Sequence, residues 1–212
     1  MVNQKENNMS KNAKEKLETK GISPKFRVSF PNLSKPRAAF KNQEPSFSIQ
    51  MLFDKSATGK EAEQMKAFKR LAFNAAINKW GSKENFPEGM RWPWKDGDTH
   101  KSLKKLASHK GMTVIEARTY NRPGTLGTDK EECDAKEIYA GCYAVASVNF
   151  YAYESGANSG VSCGLNNVCK VKDGDKLGGQ TNAKDDFADI EIDDEDFEEN
   201  SGGDDDSDGE DW

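Results

Sequence analysis

The chain has 212 residues, 34% hydrophobic and 32% charged, with a formal net charge of −5, a more polar average than one compact domain of this size shows, so two unlike parts are being averaged. The 16 acidic residues of 185–212, uninterrupted by Lys or Arg, leave 20 of the 36 carboxylates in residues 1–184 against all 31 Lys and Arg, so a body of +11 precedes a tail of −16. The polar opening "MVNQKENNMSKNAKEKLETK" carries no apolar run of signal-peptide length and no segment approaches the length of a membrane-spanning helix, which sets the expectation of a cytoplasmic protein.

Three regions are expected in chain order. Residues 1–20 read as a flexible polar N-terminus, 21–184 as a single domain, and 185–212 as a disordered acidic tail, because like charges at this density bury too little apolar surface to offset chain entropy. Within the domain, "KFRVSF" alternates Lys25, Arg27 and Ser29 against Phe26, Val28 and Phe30, the period of a half-buried strand. "PSFSIQMLFDK" repeats that period with Phe47, Ile49, Met51 and Phe53 on one face. From Lys60 to Trp80 the period becomes helical, with Met65, Phe68, Ala72, Ala75 and Ala76 recurring among strong helix formers until Gly81.

"NFPEGMRWPWKDGDTHKS" is rich in Pro, Gly and turn dipeptides and predicts a loop carrying Trp92 and Trp94, either exposed or as that loop's own small core. "GMTVIEARTYNRP" alternates again, Ile115, Ala117 and Thr119 opposite Glu116, Arg118, Tyr120 and Arg122. The longest strand-like run is 137–153, "EIYAGCYAVASVNFYAY", with a bulge or bend at Gly141. "GVSCGLNNVCKV" and a short segment from Lys176 form an expected hairpin hinged at Asp173-Gly174. The sum is mainly β, five or six strands with one inserted helix, in a small antiparallel barrel or sandwich.

Cations and aromatics recur together on these strands: Lys25 and Arg27; Lys35, Arg37 and Lys41; Arg118, Tyr120 and Arg122; Tyr139, Tyr143, Tyr151 and Tyr153; and Trp92 in the loop. Guanidinium and ammonium groups neutralise backbone phosphates, and flat rings stack on unpaired bases, so these residues are the candidate surface for single-stranded nucleic acid. A metal-dependent nuclease is the catalytic alternative, with Asp96, Asp98 and His100 as its compact acid and histidine group; RNA binding is another. Cysteines 133, 142, 163 and 169 show no metal-ligand spacing, and no metal or cofactor is expected. Asp204, Asp206, Asp208 and Gly209 match the first half of a calcium loop, but its twelfth position, 215, lies past the last residue.

In "KFRVSFPNLSKPRA", "KDGD", "EARTYNRPG", the stretch from Ile138 to Gly179 and the acid run closed by an aromatic, the chain resembles the phage-encoded single-stranded DNA-binding proteins. The resemblance spans about Pro24 to Gly179 plus the tail. It implies an OB-fold antiparallel barrel with a disordered acidic C-terminal tail. It also implies a non-enzymatic protein that coats single-stranded DNA during phage DNA replication, recombination and repair, in the cytoplasm of an infected bacterial host. The tail would compete with DNA and dock replication proteins (polymerase, helicase or primase) through Asp204, Asp205, Asp206, Asp208, Glu210, Asp211 and Trp212. A homo-oligomer is left open. The related bacterial tails end in Phe after Pro, whereas this one ends Asp211-Trp212.

Overall fold

A strand that is apolar at every second position needs cover on one face only, and in the computed structural model, which describes residues 16–38, 41, 43–156 and 158–177, strands cover one another by closing on themselves. The elements in order are β1 (Lys20–Ile22), β2 (Phe26–Arg37), β3 (Ser46–Asp54), α1 (Gly59–Trp80), β4 (Trp94–Asp96), β5 (Met112–Thr119), β6 (Gly124–Leu126), β7 (Tyr143–Ser155) and β8 (Asn158–Lys172). The protein is mainly β with one α-helix among the described residues. Eight strands replace the expected five or six because β1, β4 and β6 have three residues each, too few to display a period.

Five strands pair in a closed ring. β7 meets β2, β2 meets β3 and β3 meets β5, all antiparallel, while β8 is antiparallel to β7 and parallel to β5. Direction cannot alternate all the way round an odd ring, so one pairing has to be parallel; here it is β5–β8, through Ala117↔Cys163 and Arg118↔Gly164. The all-antiparallel expectation is corrected at that seam and again at β6, which runs parallel to β8.

Ile49, Met51, Phe53, Ile115, Ala117 and Val148 point into the ring and are buried. α1 adds its Phe68, Ala72, Ala75 and Ala76 face to this core, with the Phe68 ring centroid 6.1 Å from Phe53 and 5.2 Å from Phe150. Burying such a ring contributes about 2–3 kcal/mol. Gly81 ends the helix at φ 86°, its N–H donating to Ile77 O. On the helix's outer side Asn78 donates to Leu17 O and accepts from Leu17 N–H, and Asn74 donates to Glu18 O, which straps the segment leading into β1.

Three local expectations are overturned. Ser29 is buried and Phe30 is exposed, the reverse of their predicted faces, because β2 bulges between Ser29 and Asn32 and Phe30 takes φ 43°. Residues 137–142 are not strand: a 3₁₀ turn at Ala135–Glu137 and Gly141 at φ 115° turn the chain, and β7 begins at Tyr143. Among the described residues no hairpin forms at Asp173-Gly174; β8 ends at Lys172, and the hairpin partner of β8 is β7, with Ser155 opposite Asn158. Asp173 instead binds Tyr139 and Lys170, and Leu177 N–H donates to Ala140 O.

The chain divides into 1–178 and 179–212, and the second unit lies wholly outside the described residues. So do residues 1–15 of the expected N-terminal segment, while Leu17 and Glu18 are strapped to α1 and Lys20 opens β1.

Candidate nucleic-acid interface

Side chains that alternate away from the core fall into register across the ring. Asn32 of β2 lies opposite Ser48 of β3, Ser48 opposite Arg118 of β5, Arg118 opposite Gly164 of β8, and Gly164 opposite Asn149 of β7. This transverse row of short polar groups around one guanidinium is the floor of a groove. Beside it Gln50 pairs with Glu116 and Tyr151 with Ser162. Three depressions of about 430, 250 and 200 Å³ follow one another along the floor and share Arg118.

Four cations line these depressions, Arg37, Arg91, Lys95 and Arg118, against the single carboxylate of Glu116. Glu116 holds Arg118 Nη2 at 2.6 Å and Lys95 Nζ at 3.5 Å, which fixes both cations at the floor. Arg91 is positioned by its backbone, whose N–H donates to Ser159 O and whose C=O accepts from Val161 N–H. Aromatic rings stand at the margins: Tyr120 is 64% exposed, Tyr151 48% and Phe30 51%, with Tyr153 two residues along the same face of β7 as Tyr151. Cations for phosphates, amides for base edges and open rings for stacking are what an unpaired strand requires.

Of the residues predicted from sequence, Arg37, Trp92, Arg118, Tyr120, Tyr151 and Tyr153 come together in this groove. Trp92 is half-buried there. It stacks on Trp94 at 4.8 Å and 8° and meets Phe73 of α1 at 4.4 Å, so the pair forms a small packed cluster against the helix.

Lys25, Arg27 and Tyr143 are elsewhere, lining a separate depression with Met65, Met112 and Lys172. Arg27 donates to Gly141 O and Asp175 O, Lys172 lies 4.6 Å over the Tyr143 ring, and the Tyr139 hydroxyl donates to Asp173 and accepts from Gly174 N–H. These side chains clamp the 173–175 segment to the ring. Burial raises the Tyr139 hydroxyl pKa, and the bonds to Lys170 and Tyr139 lower that of Asp173. Lys35, Lys41 and Arg122 are exposed and line none of the three depressions. Asp204, Asp205, Asp206, Asp208, Glu210, Asp211 and Trp212 lie outside the described residues.

Sequence reasoning passed over Arg91, Lys95 and Phe30. For the first two the signal was present, since "RWPWK" sets a cation beside each of two indoles; Phe30 carried none, because a period-2 pattern assigns it to the core.

The acid group proposed for catalysis is occupied from within. Lys55 Nζ lies 2.6 Å from Asp96 Oδ1 and 2.7 Å from Asp98 Oδ2, Asp96 Oδ1 also accepts from the Asp98 and Thr99 N–H groups and Asp98 Oδ1 from Gly111 N–H, and these contacts lower both carboxyl pKa values. His100 faces Ser102 instead. All four cysteines are free thiols, and burial raises the pKa of Cys142 and Cys163.

The family model described as "Enterobacter phage Enc34, ssDNA-binding protein" matches residues 19–198. Protein p50 of Acyrthosiphon pisum secondary endosymbiont phage 1 is 27% identical over 178 residues, covering 78% of this chain and 91% of that protein. Among solved structures, the single-stranded DNA-binding protein from bacteriophage Enc34 in complex with ssDNA is similar at TM-score 0.62 and 26% identity, over 74% of this chain and 88% of that one. Gp2.5, a single-stranded DNA-binding protein encoded by bacteriophage T7, shares the fold at TM-score 0.50 and 11% identity, over 77% of this chain and 97% of that one.

Proposed function

The chain belongs to the family of the Enterobacter phage Enc34 ssDNA-binding protein, and from that premise we propose that it binds single-stranded DNA, without catalysis and without reading sequence, along the groove centred on Arg118. The observation that carries this reading is the transverse row Asn32, Ser48, Arg118, Gly164 and Asn149, flanked by Arg37 at one side and by Tyr151 and Tyr153 at the other. A guanidinium can contact the phosphate backbone there while bases stack on the rings, which every base can do. The ring of five strands with one parallel seam supports reading the fold as an OB barrel, whose strand face is a usual platform for single strands.

In the fuller form of the proposal the protein coats exposed strands during phage DNA replication, recombination and repair in the host cytoplasm. The acidic segment 185–212 competes with DNA for the body's cations and recruits replication proteins such as a polymerase, helicase or primase.

A titration with oligo-dT, followed by tryptophan and tyrosine fluorescence and repeated with duplex DNA and RNA at matched salt, tests the core of it. Quenching with preference for single-stranded DNA is expected, with no cleavage in magnesium. Equal affinity for duplex would leave phosphate attraction as the only operative force.

A further inference from the structure

Phe30 is one of two non-glycine residues with positive φ among the described residues, at 43°; the other, Lys130, sits in a turn. A bulky side chain in that region costs conformational energy, and strain of this kind persists where surrounding structure enforces it. What the strain achieves is visible in the register. β2 pairs regularly with β3 from Arg27 to Ser29, then slips before Asn32, so Ser29 turns inward and Phe30 is thrown outward, half exposed, between Arg37 and the groove floor.

The exposed ring has a rigid underside. Its centroid is 6.0 Å from that of His109, tilted by 44°, and His109 is fully buried. His109 Nε2–H donates to Gln50 Oε1 at 3.0 Å, and Ser108 Oγ donates to Nδ1 at 3.0 Å, which fixes the imidazole plane beneath Phe30. A flexible surface aromatic would lose entropy on stacking; one already pinned by its backbone and by a buried ring beneath it loses little.

We propose that Phe30 is a preorganised base-stacking platform at the Arg37 end of the groove, locked outward by the β2 bulge and seated on His109. This rests on the groove being the DNA site. It adds a contact that strand periodicity places in the core, and it gives the bound strand an aromatic post at each side of Arg118: Phe30 at one, Tyr151 and Tyr153 at the other.

The test uses fluorescence anisotropy of labelled oligo-dT with the full-length chain and the variants F30A, F30L, F30W and F30G, with R118A as a reference for the groove itself. F30A, F30L and F30G are expected to lose roughly 5- to 100-fold in affinity, the range set by one stacked base. F30W should retain affinity and show extra quenching by oligo-dT that an abasic strand of the same length does not produce. F30G relieves the backbone strain, so its unfolding midpoint should hold or rise while affinity falls, a combination that a purely structural role would not give. Unchanged affinity in F30G and F30L alongside weakened binding in R118A would overturn the platform and leave the groove standing; unchanged affinity in R118A as well would overturn the groove.

Discussion

At the scale of single residues, Glu116 is the one acid among the four cations that line the proposed groove, and so would set how strongly it attracts a phosphate. Its carboxylate, with the side chain 20% exposed, lies among four cations and engages two of them, Arg118 at 2.6 Å and Lys95 at 3.5 Å. If the proposed groove is the DNA site, this carboxylate would be an internal stand-in for phosphate that an incoming strand has to replace. Glu116→Gln keeps the shape and one acceptor while releasing both cations. Binding of oligo-dT at low salt should tighten roughly 3- to 10-fold, and the slope of log affinity against log salt should steepen by about 0.7, the value for one more phosphate neutralised on a single strand. The ion pairs are partly solvated, so folding should change by less than about 1 kcal/mol. Weaker binding would mean that the carboxylate serves mainly to hold Arg118 in place, and the salt series separates the two.

At the scale of elements, the segment after β8 is held by contacts that leave no room for change at Gly141. A Cβ there would run into the backbone oxygen of Asp175, and φ 115° is a conformation that L side chains rarely adopt. Gly141 O also accepts from Arg27 Nε, and Arg27 Nη2 donates to Asp175 O, so one guanidinium joins Gly141 and β2 to the 173–175 segment. Gly141→Ala should therefore cost at least about 2 kcal/mol by urea unfolding, and proteolysis near Leu177 should accelerate as the clamp opens. A variant as stable and as resistant as the parent would show that the segment contributes nothing to the ring.

These elements also show what a sequence can and cannot disclose. The alternation of Ile49, Met51 and Phe53, the helical run ending at Gly81 and the alternating Glu116, Arg118 and Tyr120 were legible, because burial on one face imposes a period. The bulge at Phe30 was not, since a single left-handed residue inverts the faces without disturbing composition. Asp173-Gly174 has hairpin chemistry, yet among the described residues no strand follows to pair with β8; Tyr139 and Lys170 take the aspartate instead, and this tertiary competition leaves no local trace. Arg27, Tyr139 and Tyr143 carry the cation and aromatic chemistry of a binding face and spend it on that clamp. Which cations and tyrosines share the groove depends on ring closure, because Arg118 meets Gly164 and Asn149 only across the parallel seam.

At the scale of the whole molecule, a body of +11 is joined to a segment of −16, and the two charge blocks have to be considered together against a polyanion. A tethered acidic segment acts at an effective concentration of about 1 mM, so a dissociation constant near 0.1 mM for the body's cations would lower apparent DNA affinity roughly tenfold. Ending the chain at Lys184 changes the formal net charge from −5 to +11. At low salt the shortened protein, verified as folded by circular dichroism, should bind oligo-dT about tenfold more tightly. The salt series is the sharper measurement. In the proposed competition DNA and the acidic segment would both bind by counterion release, so in the full chain the two dependences should partly cancel, while the shortened chain should show the whole slope. The two curves should converge as salt rises, since screening removes the competitor first. Parallel curves would assign 185–212 no competitive role and leave partner recruitment as its remaining proposed function.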